Sequence, residues 1–328
     1  MTSQQREPTS QGVVRAAEKI AGILPPTPLL PLAIGEATVW CKAESLQPVG
    51  AFKIRGAWHR LSDLSPEERT RGVVGVSSGN HAQGVAWAAA RLGIAATIVM
   101  PVDAPLVKLD NTRALGAQVV LYDRPGGEDR DKVAARVCAE QGATLVHAYG
   151  DPWIIEGQGS AGIEIAAQME RHAGGPPTRI VIPCGGGGLA AGLALACPDA
   201  EILPVEPEGW DDVRRSLELG RIVPVGPNPP PTACDALQTI ATRPINFAIL
   251  ARHCPYGIAI SAEEVRRAQR HAFARLRLVI EPGGAAALAA ALAGKVPLDG
   301  RTAIVLSGGN TDAAAFAAVL AQNTSQEI

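Results

Sequence analysis

TRIVIPCGGGGLAAGLALAC, residues 178–197, sets a strand, a turn and a helix side by side. The apolar run TRIVIPC reads as a buried strand, and the Ala/Leu-rich run LAAGLALAC reads as a helix. Between them stand Gly185, Gly186, Gly187 and Gly188. Glycine permits positive φ and lets backbone N–H groups close around a ligand. A helix start adds partial positive charge, so the turn suits a phosphate. A plain linker is the rival reading, but linkers rarely join a buried strand to a buried helix. The pattern is neither GxxxxGK[ST] nor GxGxxG, which turns the expectation away from nucleoside triphosphates and dinucleotides.

The same strand–turn–helix rhythm extends in both directions. Upstream, GVVGVSS, AATIVMP, AQVVLYD and ATLVHAY read as strands. They alternate with the helical runs NHAQGVAWAAARLG, PLVKLDNTRALG and DRDKVAARVCAEQG. Then come IEGQGSAGIEIAAQME as a helix and EILPVEP as a strand, and near the end TAIVLSGG as a strand and TDAAAFAAVLAQ as a helix. Such alternation predicts an α/β architecture with parallel sheets covered on both faces. The rhythm runs once before about residue 150 and once after, predicting two domains with the site in the cleft between them. The Pro-rich PVGPNPPPTACD reads as a long surface loop.

Three further turns carry chemistry. SSGNHAQG gathers Ser77, Ser78, Asn80, His81 and Gln83 at a helix start. Such a start can cradle a carboxylate or simply cap its own helix. VLSGGN ends a strand at Ser307, and IEPGGAAALAA places Glu281 before a Pro-Gly-Gly helix entry. In ESLQPVGAFKIRGA, residues 44–57, Lys53 sits in a tightly turned apolar stretch instead of on a polar face.

Composition excludes several partners. Lys plus Arg number 30 and Asp plus Glu 32, for a net charge of −2, so nothing points to nucleic acid. GGAAALAAALAG is too short and too weakly apolar to span a bilayer, and MTSQQREPTSQ lacks a signal peptide's apolar core. Cys41, Cys138, Cys184, Cys197, Cys234 and Cys254 form no CxxC pair and no Cys/His cluster. They read as reduced, mostly buried thiols of a cytoplasmic protein.

A phosphate cradle, a carboxylate nest and a lysine in an apolar setting together fit pyridoxal phosphate. LQPVGAFKIRGA, SSGNHAQGVAWAA, MPVDAPLVKLDNTRALGAQVVL, EGQGSAGIEI, CGGGGLAAG and LSGGN follow one another in order. In this the chain resembles, from about residue 20 to residue 320, the fold-type-II pyridoxal-phosphate enzymes of the serine/threonine dehydratase and serine racemase branch. The resemblance implies two doubly wound open-sheet domains of the tryptophan-synthase-β type with the cofactor between them. Residues 1–52 with 149–328 would form the large domain and 53–148 the small one. It implies Lys53 as the Schiff-base lysine, Phe52 behind the pyridine ring and Asn80 on the phenolic oxygen. Gly185, Gly186, Gly187, Gly188 and Leu189 would take the phosphate, with Glu281 at the cofactor. Ser307 would face the ring nitrogen, where a neutral hydroxyl favours β-elimination. Ser77, Ser78, Asn80 and His81 would receive the substrate. The implied enzyme is a homodimer that turns a 3-hydroxy amino acid such as threonine or serine into a 2-oxo acid and ammonia. An amino-acid racemase is the alternative, and a degenerate sensor that keeps the fold is a third reading, opposed by the presence of Lys53.

Several positions bear on the choice. Ser78 stands where many threonine dehydratases carry Ala, and in serine racemases that serine is the acid/base opposite the lysine; it equally suits a helix cap. Cys234-Asp235-Ala236 replaces the commoner Ala-Asp-Gly, leaving substrate size open. EPEGWDD resembles a divalent-cation stretch whose ligands would be Glu206, the Trp210 carbonyl and Asp212, suited to Mg²⁺ or Ca²⁺; a solvated acidic turn is the alternative. Arg130 matches an arginine near the substrate side chain, which opens 3-hydroxyaspartate as a substrate; a solvated arginine at a helix start fits as well. The chain stops soon after its last helix, so the isoleucine-responsive module of biosynthetic threonine dehydratases is not expected.

Overall fold

The structure is a computed structural model that describes residues 6–77, 79–104 and 106–322. The chain opens with α1 (Ser10–Ala21), β1 (Leu29–Ile34) and β2 (Ala37–Ala43). It continues through α2 (Lys53–Ser62), α3 (Pro66–Arg71), β3 (Val73–Val76), α4 (Asn80–Leu92) and β4 (Ala96–Pro101). Next come α5 (Leu106–Ala114), β5 (Gln118–Tyr122), α6 (Arg130–Gln141), β6 (Thr144–Val146) and α7 (Pro152–Ala173). Then follow β7 (Arg179–Pro183), α8 (Gly188–Ala196), β8 (Glu201–Pro207), α9 (Asp212–Leu219) and α10 (Pro244–His253). The last elements are β9 (Ile258–Ile260), α11 (Ala262–Leu276), α12 (Ala286–Leu292), β10 (Thr302–Leu306) and α13 (Ala313–Ala321).

Among the described residues the strands form two sheets, ordered β1-β2-β10-β7-β8-β9 and β5-β4-β3-β6. All neighbours are parallel except β1 and β2. Every residue of β4 and β10 is buried, as expected of strands covered on both faces. The antiparallel edge was not anticipated from the alternation of strands and helices. Its cause is local: Ile34 pairs with Ala37 across a two-residue turn whose Gly35 has φ +58°.

This order positions the functional turns. The last strand, β10, inserts between β2 and β7, so three neighbouring parallel strands end at one edge. Ser307 follows β10, the glycine turn follows β7, and the segment leading to Lys53 follows β2. In the other sheet, Ser77 follows β3. Ligands of open α/β sheets bind outside the carboxyl ends of such strands.

α7 joins the two halves. Its stretch Glu156–Gly162 is entirely buried. A Cβ added to Gly157 would stand 2.6 Å from the Gly56 Cα, and one on Gly159 would stand 2.5 Å from the Gly192 carbonyl oxygen. α2 and α8 therefore both cross α7 at backbone contact, which only glycine allows.

A buried ion cluster locks this crossing. Arg55, two residues beyond Lys53, is fully buried. Its guanidinium donates to both oxygens of Glu44 at 2.7 and 2.8 Å and both oxygens of Glu164 at 2.7 and 2.8 Å. Lys42 adds a contact to Glu164 at 2.5 Å and donates to the Thr27 carbonyl at 2.7 Å. Burial pushes the Glu44 carboxyl up, but the Arg55 charge and hydrogen bonds outweigh it and hold it down at about 2. Removing one partner of a buried pair strands the other charge. Arg55→Ala is therefore expected to lower unfolding stability by about 3–5 kcal/mol, read from urea midpoints. A depressed carboxyl stabilises above its unfolded pKa, near 4.5, and loses that contribution as pH falls toward 2. The wild type should thus lose more stability than the variant across that acid window.

Candidate active site

The strand ends and the turns they carry enclose a cavity of about 490 Å³ between the two sheets. Lys53 opens α2 on its wall, and its Nζ donates to the Ala148 carbonyl at 2.8 Å. The Phe52 ring lies beside the amine, its centroid 5.2 Å away. Burial lowers the amine's pKa to about 8, so a usable fraction is neutral near physiological pH. The lysine is held by backbone stitching: the Phe52 N–H donates to the Ser307 carbonyl at 3.1 Å and the Gly309 N–H to the Gly50 carbonyl at 2.8 Å. Ser307, 5 % exposed, lines the same wall.

Opposite lies the glycine turn. Gly187 takes φ +83° as the residue before α8, so the first N–H groups of that helix have no internal acceptor. A Cβ on Gly186 would fall 2.3 Å from the Tyr149 ring, and one on Gly188 would lie 3.0 Å from the Tyr149 Cα. Thr239 stands at the mouth of the turn, its Oγ1 3.0 Å from a Cβ on Gly185. The turn is a cradle lined by backbone, with no room for side chains of its own.

The third wall is the start of α4. Gly79 precedes it, and the N–H groups of Asn80, His81 and Ala82 begin the helix without carbonyls one turn back. The Gly79 N–H is taken by Ser77 Oγ at 3.1 Å. Asn80 Nδ2 donates to Glu281 Oε1 at 2.7 Å, and its Oδ1 accepts from Asn310 at 2.8 Å. Burial raises the Glu281 carboxyl to about 7, with the Asn80 hydrogen bond opposing. The His81 ring is buried against the Val146 carbonyl, 2.9 Å from its Nε2. Burial, and then the Lys53 charge, lower its pKa to about 3, so it is neutral. Its Nδ1 is buried without a hydrogen-bond partner among the described residues.

A family model described as "Pyridoxal-phosphate dependent enzyme" matches residues 20–308. The chain belongs to the pyridoxal-phosphate-dependent enzymes. The serine racemase of Schizosaccharomyces pombe is 37 % identical over 324 residues, 96 % of this chain and 98 % of that protein. The L-threo-3-hydroxyaspartate ammonia-lyase of Saccharomyces cerevisiae is 36 % identical over 322 residues, 95 % of this chain and 96 % of that one. Among solved structures, a threonine deaminase from T.th. superposes with a TM-score of 0.85 at 41 % identity, covering 93 % of this chain and 99 % of the other. Pyridoxal phosphate is the cofactor, and the cavity suits it. The glycine turn offers N–H groups on a backbone packed so closely against Tyr149 and Leu250 that a Cβ would clash, Lys53 a partly neutral amine, and Phe52 an apolar ring face.

The structure brings together Phe52, Lys53, Ser77, Asn80, His81, Arg130, Gly185, Gly186, Gly187, Gly188, Leu189, Glu281 and Ser307 around this one cavity. Arg130 is on its rim, the first residue of α6, half exposed, with Asp131 3.8 Å from its Nε. Ser78 lies outside the described residues. Tyr149, Thr239 and Arg243 also line the cavity and were not singled out from the sequence. They stand in stretches without a turn or motif signature, so only folding reveals them. Ala236 reaches the same wall.

Glu206 and Asp212 lie apart from this wall, behind the glycine turn. Both are fully buried. Glu206 accepts from the N–H groups of Val213 and Arg214 at 3.1 and 2.8 Å, capping α9. Asp212 Oδ2 accepts from the Thr242 N–H at 2.8 Å, while its buried Oδ1 has no partner. Burial raises both carboxyls, Asp212 to about 7, and the Asp212 charge pushes Glu206 further up. Among the described residues no three His, Cys, Asp or Glu side chains gather as a metal cluster. The expected set has only two carboxylates and the Trp210 carbonyl. Of the four oxygens of this pair, only Asp212 Oδ1 is without a hydrogen-bond partner among the described residues, and it is the place where the expected cation would enter.

Proposed function

We propose that the protein is an ammonia-lyase that removes water from a 3-hydroxy amino acid and releases a 2-oxo acid and ammonia. The observation that carries this reading is the partly neutral Lys53 amine facing the open start of α4 across one cavity. The α4 N–H groups hold the substrate carboxylate. That fixes the Cα–H bond toward Lys53, whose Nζ takes the proton. Pyridoxal phosphate supplies an aldehyde that captures the amino group and a ring that withdraws electrons from Cα. The Cβ–O bond then breaks, and the hydroxyl leaves with a proton as water. With Lys53 taking the aldehyde back in exchange, the enamine would be freed, tautomerise to an imine and be hydrolysed by water to the 2-oxo acid and ammonia. Phe52 shields one ring face, Asn80 donates toward the phenolic oxygen, and the glycine turn binds the phosphate.

Ser307 favours elimination, because a hydroxyl leaves the ring nitrogen unprotonated and the electron sink weak. Ser307→Asp should shift the products away from clean elimination and move the cofactor's visible absorption band. Unchanged kinetics and an unchanged spectrum would reduce Ser307 to a strand terminus. The decisive experiment for the whole reading is 2-oxo acid and ammonia release from stereoisomers of serine, threonine and 3-hydroxyaspartate. Release from none of them rejects it.

Racemisation is the second reading, favoured by Ser78 in the sequence and by the likeness to the S. pombe serine racemase. Chiral chromatography of the same mixtures tests it. Arg130 on the cavity rim, with the likeness to the S. cerevisiae enzyme, supports 3-hydroxyaspartate within the panel. The unpartnered Asp212 oxygen supports a structural or activating Mg²⁺ or Ca²⁺. The placement of β3–β6 wholly within 53–148 supports that segment as the small domain. The family resemblance supports a homodimer, to be checked by light scattering. No helix among the described residues is long and apolar enough to cross a membrane, and the free cysteines agree with a cytoplasmic setting.

A further inference from the structure

Thr242 is 4 % exposed and lies between the carboxylate pair and the glycine turn. Its N–H donates to Asp212 Oδ2 at 2.8 Å, and its Oγ1 donates to the Gly186 carbonyl at 3.1 Å. Among the described residues the other oxygen, Oδ1, has no hydrogen-bond partner, although the Arg215 charge bears on the same carboxylate. Gly186 is the second glycine of the cradle, and a Cβ on Gly187 would also meet Thr242 Oγ1 at 3.4 Å. One residue thus joins the inner side of the cation site to the back of the phosphate site. The join is stiff, because a β-branched side chain is restricted at χ1 and the hydrogen bond to the Gly186 carbonyl selects one rotamer. Asn246 supports it from the next turn of chain, donating to the Tyr149 carbonyl at 2.9 Å while the Tyr149 ring lies against the cradle.

We propose that Thr242 is a positioning residue that couples cation occupancy at Glu206 and Asp212 to cofactor affinity at the glycine turn. The proposal rests on the cation reading given above. A hard cation on Asp212 Oδ1 fixes the plane of that carboxylate. The same carboxylate then fixes the Thr242 backbone through Oδ2. The Thr242 hydroxyl holds the Gly186 carbonyl, which shares one rigid peptide plane with the Gly187 nitrogen. Anchoring that plane fixes the middle of a turn whose glycines would otherwise wander. Ordering the cradle before the phosphate arrives removes part of the entropic cost of binding it. Linkage makes the effect reciprocal: the cofactor must tighten the cation by the same factor.

The test strips pyridoxal phosphate from the holoenzyme and titrates it back, following cofactor absorbance. The titrations are run without divalent cation and with Mg²⁺ or Ca²⁺ alone, on wild type, Thr242→Val, Thr242→Ala and Thr242→Ser. Calorimetry measures cation binding separately, and thermal melting confirms folding. In the wild type the cation should tighten the cofactor by at least about fivefold, the low end of ordinary allosteric coupling. The Ser variant should keep the coupling. The Val and Ala variants should still bind the cation but bind the cofactor equally with and without it. Their cofactor affinity should be roughly fivefold to tenfold weaker than that of the cation-loaded wild type, the equivalent of one hydrogen bond. Cation binding with no change in wild-type cofactor affinity overturns the coupling and leaves the cation reading standing. Full coupling in the folded Val and Ala variants overturns the role of Thr242. No heat of cation binding in the wild type overturns the cation reading and the coupling together.

Discussion

Lys53→Ala is expected to abolish turnover, by at least about 10⁴-fold, the upper end of what one acid–base group contributes. The protein should remain folded and hold pyridoxal phosphate weakly. The site explains both halves of that result. The amine is the basic side chain held beside both the Phe52 ring and the Ala148 carbonyl, with its pKa brought down to about 8 by burial. The glycine turn follows a separate strand, so a phosphate held there as proposed would not depend on the lysine. On the proposed chemistry, removing the lysine would remove the base and the covalent anchor and leave the glycine turn. The depressed pKa has its own signature. Below about 8 the amine is mostly ammonium and cannot attack an aldehyde. Cofactor uptake by the stripped wild type should rise about tenfold per pH unit below that value and level off above it. Normal turnover in the alanine variant would reject the proposed chemistry, and an uptake rate flat from about pH 6 to 9 would reject the shifted amine.

The second large effect belongs to Ser78. If its hydroxyl is the acid/base opposite Lys53, Ser78→Ala should lose racemisation and elimination from D-substrates by roughly 10²–10⁴-fold. Elimination from L-substrates should largely survive, since Lys53 alone removes that proton. The neighbouring geometry gives the rival outcome a definite size. Ser77 Oγ already accepts the Gly79 N–H at 3.1 Å, so this turn keeps a hydroxyl partner without Ser78. A purely capping Ser78 should then cost both enantiomers alike, by about 1 kcal/mol. Turnover of L- and D-serine by the one variant separates the two cases: equal losses end the two-base idea.

Much of this site could be read before folding, because its parts are turns. Glycine runs and polar residues at strand ends have a local physical cause, so Gly185 to Gly188, Asn80 and Ser307 announce themselves. Lys53 stood out by its unsuitable surroundings. Tyr149, Thr239 and Thr242 did not, because their roles depend on which strand ends up beside which. A tyrosine packed under a glycine turn far along the chain leaves no periodic trace. The same holds for the fold. The alternation of strands and helices made the parallel sheets legible, whereas the insertion of β10 between β2 and β7 is decided by long-range pairing. The Arg55 cluster was also hidden: arginine and glutamate read as surface residues until all their partners are buried together.

The glycine crossings on α7 set a length. α2 begins at Lys53 and α8 begins at the glycine turn, and both rest on that helix with no side chain between the backbones. The gap from amine to cradle is thus gauged against a single rod, as on a caliper with both jaws locked. Widening one crossing by a methyl group would change the calibration before it changed any residue that touches the cofactor.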